Sequence, residues 1–271
     1  MDESYVDGRG GSPPRDDASL ADIFKTFVRF LLLGFGSLAL LFVIQLVLYV
    51  VAISVLGPVP EGGLEVQLIS FLSLGLGTLV VAGAYLQNSG RDWSFVDIEL
   101  PSLRDVAWTL GGFVILILGF LAVVSLFDLL GLSPAEHSST DSIINATPQV
   151  ILLVLVAQLL VVGPGEELLY RNVIQKSLYD SVGKPRAVVL ASVIFSLVHI
   201  PAYSAGGASL TGVATTLAAI FVLSLVLGGV YARTENMIVP AVIHGSYNVL
   251  SFYSTYATGG GGGTEALAWL F

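Results

Sequence analysis

Seven apolar segments, separated by short polar stretches, dominate the pattern of this chain. They lie near residues 30 to 56, 66 to 86, 106 to 130, 149 to 175, 187 to 200, 210 to 231 and 237 to 257. A helix needs about 20 apolar residues to cross a membrane, and most of these segments reach that length. The fifth is short, which indicates a helix packed inside the others. The pattern predicts an all-α fold, a polytopic transmembrane bundle of about seven spans.

Composition supports an integral membrane protein rather than a soluble domain. Hydrophobic residues make up 55% of the chain and charged residues only 11%, which is far from the balance of soluble globular proteins. We therefore expect a multi-pass protein of the cell membrane, with the lipid bilayer as its surroundings. The net charge of −9 argues against nucleic acid as a partner. Cysteine is absent from the sequence, which excludes disulfides and a thiol nucleophile.

The basic residues predict the topology, because Lys and Arg stay preferentially on the cytoplasmic side. One of them, Arg171, falls inside the fourth apolar segment. The other ten all fall on one side of a seven-span arrangement: Arg9, Arg15, Lys25, Arg29, Arg91, Arg104, Lys176, Lys184, Arg186 and Arg233. This distribution predicts a cytoplasmic N-terminus and a C-terminus on the other side.

The chain divides into three predicted parts. Residues 1 to 22 are acidic and rich in Gly and Pro, which predicts a disordered cytoplasmic tail. Residues 23 to 257 form the transmembrane domain. Residues 258 to 271 form a Gly-rich linker followed by a short apolar tail. That tail is too short to span by itself, so it lies on the surface or belongs to an eighth helix.

The stretch from Gly163 to Arg171 places two carboxylates and a guanidinium within an apolar segment. Ionisable groups at membrane depth usually serve a function. If Pro164 opens or kinks a helix, Glu167 and Arg171 lie four residues apart on one face and can pair, while Glu166 points away. We interpret Glu166 as the reactive carboxylate and the Glu167–Arg171 pair as its structural support. The alternative is that both acids only join helices.

Two of the three histidines lie in apolar segments, and each has a partner four residues away on the same helical face. Phe195 precedes His199, and Asn248 follows His244. At a rise of about 1.5 Å per residue, Glu166, His199 and His244 lie roughly 15 to 20 Å from the nearest basic residue of their helices. The three helices therefore bring polar groups to a similar depth. The remaining histidine, His137, is expected in a loop on the opposite side.

A carboxylate and an imidazole that converge on one water form a general base, so we assign Glu166 and His199 to water activation. His244 and Asn248 are assigned to the oxyanion of a tetrahedral intermediate. The same residue types also suit zinc, with Glu166, His199 and His244 as ligands and water in an open position. A third interpretation treats them as buried, hydrogen-bonded polar groups. The residues alone do not separate the metal-free chemistry from the zinc chemistry.

The motifs Glu166-Glu167-x-x-x-Arg171, Phe195-x-x-x-His199 and His244-x-x-x-Asn248, in this order, resemble those of the CAAX-protease and bacteriocin-processing family of intramembrane proteases, also called the Abi or self-immunity family. The resemblance covers about residues 90 to 255. It implies a helical endopeptidase whose site opens toward the cytoplasm, which agrees with the depth of these residues, so we expect hydrolysis of a peptide bond near the cytoplasmic side of the membrane. By motif, Glu166 and His199 would activate water, and His244 and Asn248 would form the oxyanion hole, supported by Glu167, Arg171 and Phe195.

The resemblance also favours a glutamate-dependent mechanism without a catalytic metal, with a zinc metalloendopeptidase as the alternative. Its implied substrate is a peptide or membrane protein, with lipidated CAAX proteins and bacteriocin-type peptides both represented in the family. A non-catalytic membrane scaffold or self-immunity protein of the same fold is the competing functional class. A proton-coupled transporter that uses Glu166 is a third class, which no sequence feature supports.

Overall fold

The computed structural model describes residues 19 to 204 and 207 to 259, and these residues form helices and connecting loops without any strand. The N-terminal tail, up to residue 18, and the C-terminal linker and tail, from residue 260, lie outside the described residues. Helix α1 begins at Leu20, within the segment that the sequence assigned to the tail. In chain order, the helices are α1 (Leu20–Leu56), α2 (Leu64–Asn88), α3 (Leu103–Leu129), α4 (Thr140–Ile144), α5 (Pro148–Val182), α6 (Lys184–Val198), α7 (Ile200–Tyr203), α8 (Leu210–Thr234) and α9 (Ile238–Thr258).

Every predicted apolar segment is helical, and five helices among the described residues are long and apolar enough to cross a membrane: α1, α2, α3, α5 and α8. Helix α6 has 15 residues, which is shorter than a span needs. Helix α9 has 21 residues and carries the polar groups His244 and Asn248. The structure therefore supports an all-helical, multi-pass membrane protein, and the count of seven or eight spans stays a prediction.

Helix α5 is not a regular α-helix. Two π-helical segments, Gln158–Val162 and Leu168–Gln175, flank the α-helical stretch Gly163–Glu167. Pro164 lies near the start of this stretch and has no backbone N–H to donate, so the change from π- to α-helical winding coincides with a gap in the backbone hydrogen bonds. Each π-turn adds a residue and rotates the side chains that follow it, and such turns are frequent at functional sites. The irregular winding sets the direction of both Glu166 and Glu167.

The helix ends that carry the basic residues meet at one end of the bundle. Arg91 pairs with Asp180 at 3.5 Å, and Lys184 pairs with Glu235. The Arg104 guanidinium donates to the Arg233 carbonyl at 3.1 Å. These contacts place residues of five helices or their connections at the same end, as the charge distribution predicts for a single membrane side. We call this the basic end.

The segment between α2 and α3, predicted to lie at the membrane interface, folds back onto the basic end. The Asp97 carboxylate accepts from Lys176 Nζ and from the Tyr231 hydroxyl, at 2.6 Å each. Its backbone N–H donates to Asn172 Oδ1 at 2.8 Å, and its carbonyl accepts from the Met237 N–H at 2.8 Å. One acidic residue thus ties together α5, α8 and the start of α9, which are the elements that carry or adjoin the polar motifs.

Helices α5 and α9 approach each other closely through two glycines. A Cβ atom built on Gly163 would lie 2.8 Å from the Ala241 carbonyl oxygen. A Cβ on Gly245 would lie 2.9 Å from the Leu159 Cα atom and 3.0 Å from the Gln158 carbonyl oxygen. Small residues allow such close packing between membrane helices. Because the obstructing atoms are backbone atoms, neither position has space for a side chain.

Replacing Gly245 by Ala should push α9 away from α5 and lower both stability and any activity of the site. We expect a loss of roughly 1 to 3 kcal/mol in unfolding free energy, the usual cost of overpacking. Thermal unfolding of the purified protein in detergent measures it. Gly119→Ala in α3 is the matched control, since no atom lies within 4 Å of the added Cβ. Equal melting temperatures for the two variants would contradict the close approach.

Candidate active site

A completely buried ion pair underlies the site. Arg171 Nε donates to Glu167 Oε2 at 2.8 Å, and neither side chain has any exposed surface. Arg171 Nη1 also donates to Ser224 Oγ at 3.1 Å, and the guanidinium lies 5.0 Å from the centre of the Phe195 ring. The spacing of four residues predicted this pair. Its burial fixes the Glu167 carboxylate in a single place.

His244 lies between two carboxylates, a contact that the sequence analysis did not anticipate for Glu167. His244 Nδ1 lies 2.9 Å from Glu167 Oε1 and donates to it, because a carboxylate paired with Arg171 only accepts. His244 Nε2 lies 3.8 Å from Glu166 Oε2. Glu167 therefore fixes the orientation of the ring and directs Nε2 toward Glu166. The sequence gives no signal for the contact between Glu167 and His244, because these residues are 77 positions apart and no spacing within a helix relates them.

His199 ends α6 and is also held through one nitrogen. Its Nδ1 lies 2.7 Å from the Phe195 carbonyl oxygen, which accepts the Nδ1 proton and leaves the Nε2 lone pair available. Phe195 packs between the site residues, with its ring centre 4.6 Å from that of His199 and 5.9 Å from that of His244. The edge of its ring also meets Tyr170 at 4.9 Å. Phe195 thus separates and orients the two imidazoles.

Asn248 forms a hydrogen bond with a residue that the sequence analysis did not select. Its Nδ2 donates to Gln158 Oε1 at 2.9 Å. Gln158 is 5% exposed and begins the first π-helical segment of α5. A sequence signal for it exists, since Gln158 is the single strongly polar residue between Val150 and Val162.

Glu166, His199, His244 and Asn248 all line one cavity of about 500 Å³. The volume lies within the usual range for pockets that bind small ligands or peptide segments. From Glu166, the cavity extends past Asn248 to the loop and helix at His137–Ile143, the end of the bundle opposite to the basic end. Apolar side chains line it near Glu166, and Gln, Ser and Thr side chains line it toward that far end.

His137 lies in a loop at the end opposite to the basic end, as expected, but it also lines this cavity together with the other two histidines, which the sequence did not predict. The loop before α4 folds inward: the Ser138 N–H donates to the Ala202 carbonyl at 2.9 Å, and the His137 ring meets the Tyr203 ring edge-on at 5.0 Å. The Ser139 N–H donates to His137 Nδ1 at 3.1 Å, which places the proton of the neutral ring on Nε2. Loop residues lack the periodicity that would have predicted this position.

The two site histidines share one feature with zinc ligands. Both His199 and His244 bind their neighbours through Nδ1 and keep Nε2 for other partners, as metal-binding histidines do. However, no three His, Asp or Glu side chains within residues 19 to 204 and 207 to 259 come together in a group that could hold a metal ion. The set Glu166, His199 and His244 therefore does not fit as a ligand group in this geometry.

Comparison with known proteins agrees with the motifs. Residues 148 to 250 match the family model described as type II CAAX prenyl endopeptidase Rce1-like. This range contains every motif residue, so the resemblance to the CAAX-protease family is confirmed, and the match supports a peptidase of that type.

A curated relative covers more of the chain. It is UPF0177 protein YxdF of Lactococcus lactis subsp. lactis (strain IL1403), which is 27% identical over 169 residues, or 61% of this chain and 81% of the relative. No solved structure matches the chain significantly.

The environment of His137 predicts a pH dependence of stability. Burial, with a smaller contribution from the charge of His199, lowers the pKa of His137 from its ordinary 6.5 to about 4. Between these values the unfolded chain binds more protons at His137 than the folded protein, so stability falls as the pH falls from 6.5 to 4. A His137→Gln variant should lose less stability than wild type over this range, by roughly 1 to 3 kcal/mol.

Thermal unfolding in detergent between pH 4 and pH 7 measures this difference. Ser142→Ala is the control, because it changes the same cavity wall without removing a titrating group. It should follow the wild-type profile. Parallel profiles for wild type and His137→Gln would show that His137 is not held neutral by burial.

Proposed function

We propose that the protein is an intramembrane endopeptidase of the CAAX protease type, which hydrolyses a peptide bond with Glu166 and His199 as the water-activating groups. The observation that carries the proposal is the convergence of Glu166, His199, His244 and Asn248 on one cavity, within the segment that matches the family. The proposed substrate is a peptide or membrane protein, lipidated proteins included, that enters this cavity from within the bilayer or its surface.

In the proposed first step, a water between Glu166 and His199 attacks the carbonyl carbon. The Glu166 side chain is 18% exposed, so it borders the cavity and is open to water there. His199 offers the Nε2 lone pair, because Nδ1 donates to Phe195. The water proton passes to Glu166 or His199 as the carbon–oxygen bond forms. The same proton then goes to the leaving amine when the carbon–nitrogen bond breaks, so the enzyme regains its initial protonation state.

The tetrahedral intermediate carries a negative oxygen, which we assign to His244 and Asn248. Glu167 holds His244 Nδ1–H, and His244 carrying a second proton on Nε2 would donate toward the cavity. The Asn248 amide has two N–H groups, of which one donates to Gln158 and the other remains for the oxyanion. Donors fixed before the reaction stabilise such charge strongly, and the loss of one typically costs about 10²- to 10³-fold in kcat.

Replacing Glu166 by Gln should abolish most cleavage, because an amide of similar shape cannot accept the water proton. We expect a reduction of roughly 10²- to 10⁴-fold, the usual contribution of a general base. Quenched fluorescent peptides, incubated with purified protein in detergent, measure the rate. Glu61→Gln is the matched control, since Glu61 is exposed on the loop before α2.

The same assay with a strong chelator separates the two mechanisms. Activity that survives the chelator and falls in Glu166→Gln supports the metal-free mechanism. If the chelator abolishes activity and added zinc restores it, Glu166, His199 and His244 would be zinc ligands. If Glu166→Gln cleaves as fast as wild type, Glu166 has no part in the mechanism. If no variant or wild-type protein cleaves any peptide or membrane-protein substrate of the family, the non-catalytic scaffold becomes the better description.

The side on which the substrate is cut follows from the orientation of the bundle. The charge distribution predicts a cytoplasmic basic end, and the cavity reaches the opposite end. The family resemblance instead implies a site that opens toward the cytoplasm. We propose the orientation given by the charges, because ten basic residues agree on it.

Cysteine labelling tests this orientation in a chain that has no native cysteine. Ser94→Cys marks the basic end and Ser138→Cys marks the cavity end, and both positions are exposed. In intact cells, a membrane-impermeant maleimide should label Ser138→Cys but not Ser94→Cys. The reverse pattern would overturn the charge-based orientation and direct the cavity toward the cytoplasm.

A further inference from the structure

Gln158 is a buried amide whose placement the water-activating chemistry does not explain. It lines the cavity beside the motif residues, and its Oε1 accepts from Asn248 Nδ2 at 2.9 Å. With 5% of its surface exposed, this hydrogen bond has little competition from bulk water. A strongly polar side chain in an apolar segment is costly unless it is paired, and here its partner is a residue proposed to contact the reaction intermediate.

The backbones fix the distance between the two amides. Close contact of α5 with α9 at Gly163 and Gly245 lies about one helical turn from the Gln158–Asn248 pair. The Gln158 carbonyl oxygen itself would lie 3.0 Å from a Cβ on Gly245. The two helices therefore cannot slide or separate at this level without losing their packing. The hydrogen bond is a consequence of this register and not a chance contact of long side chains.

We propose that Gln158 is a positioning residue: it fixes whether the N–H group or the oxygen of the Asn248 amide points to the substrate. This inference rests on the proposed function. The terminal torsion of Asn has two broad, roughly equivalent orientations. In the structure, Nδ2 donates to Gln158 Oε1, and in the flipped orientation Oδ1 would face that oxygen unless the buried Gln158 amide flipped as well. The flipped amide would also present Oδ1 in place of an N–H to the oxyanion. Gln158 selects the orientation that donates.

Gln158→Met removes the acceptor and keeps the length of the side chain. We expect kcat to fall roughly tenfold with KM unchanged, because an oxyanion contact acts in the transition state and not in substrate binding. Gln158→Glu should recover most of the rate, since a carboxyl group supplies an acceptor oxygen at the same place. A change in KM alone, or the same loss of kcat in both variants, would overturn the positioning role.

A double variant tests whether Gln158 acts through Asn248. Once Asn248→Ala has removed the amide, the further change Gln158→Met should leave kcat unchanged. Two losses that multiply would show that Gln158 acts independently of Asn248. Gln175→Met is the matched control, because Gln175 is a buried glutamine of the same helix that donates to the Gly228 carbonyl and does not line the cavity. It should lower thermal stability and leave kcat of the folded protein unchanged.

Thermal unfolding separates this inference from the proposed function. If wild type cleaves no substrate, the proposed function fails, yet the hydrogen bond between the two amides is still measurable. The losses of stability in Gln158→Met and Asn248→Ala should then be less than additive in the double variant, as for residues in direct contact. Strict additivity would show that Gln158 does not hold Asn248, whatever the activity of the protein.

Discussion

The contact between Arg171 and Glu167 is the interaction on which the site depends. Both groups are fully buried, and a buried ion pair typically adds little net stability, because desolvation offsets the attraction. Its effect is positional. One carboxylate oxygen of Glu167 accepts from Arg171 and the other from His244, so a charge fixed by α5 sets the ring orientation on α9. Losing either member leaves an unpaired buried charge, which costs about 3 to 5 kcal/mol, and losing Glu167 also removes the partner of His244 Nδ1.

Close packing of α5 against α9 brings the other site residues to this ion pair. Glu166 and Glu167 are consecutive residues of an α-helical stretch, so their side chains point about 100° apart. One carboxylate therefore meets the cavity and the other meets Arg171. Gly163 and Gly245 then bring α9 close enough for His244 to lie between both. The same approach brings Gln158 to Asn248. Two features that weaken a helix in isolation, π-turns and glycine, are the ones that place the chemistry.

Sequence periodicity was sufficient for the helices and for residues that share a helix. Apolar length predicted the seven longer helices but not the short helices α4 and α7, and a spacing of four predicted the pairs Glu167–Arg171 and Phe195–His199. Contacts between helices were harder to predict, because they depend on the rotation of each helix about its axis and on its depth in the bundle. Residue spacing within one helix determines neither. The second partner of Glu167, the hydrogen bond from Asn248 to Gln158 and the inward loop at His137 belong to this class. Of these, only Gln158 had a local signal, as an amide in an apolar run.

The distribution of basic residues and the family resemblance give opposite orientations of the cavity, because they depend on different physical properties. The charge rule reports how a chain inserts, and it concerns residues at the basic end that do not touch the cavity. The family resemblance reports the chemistry around Glu166, which is the same whichever end of the bundle faces the cytoplasm. The cavity joins Glu166 to His137 at the end opposite to the basic end, and this is the route that we propose for water and substrate. Under the proposed function, insertion sets the side of cleavage, while Glu166 and His199 activate the water and the Arg171–Glu167–His244 chain orients an oxyanion donor.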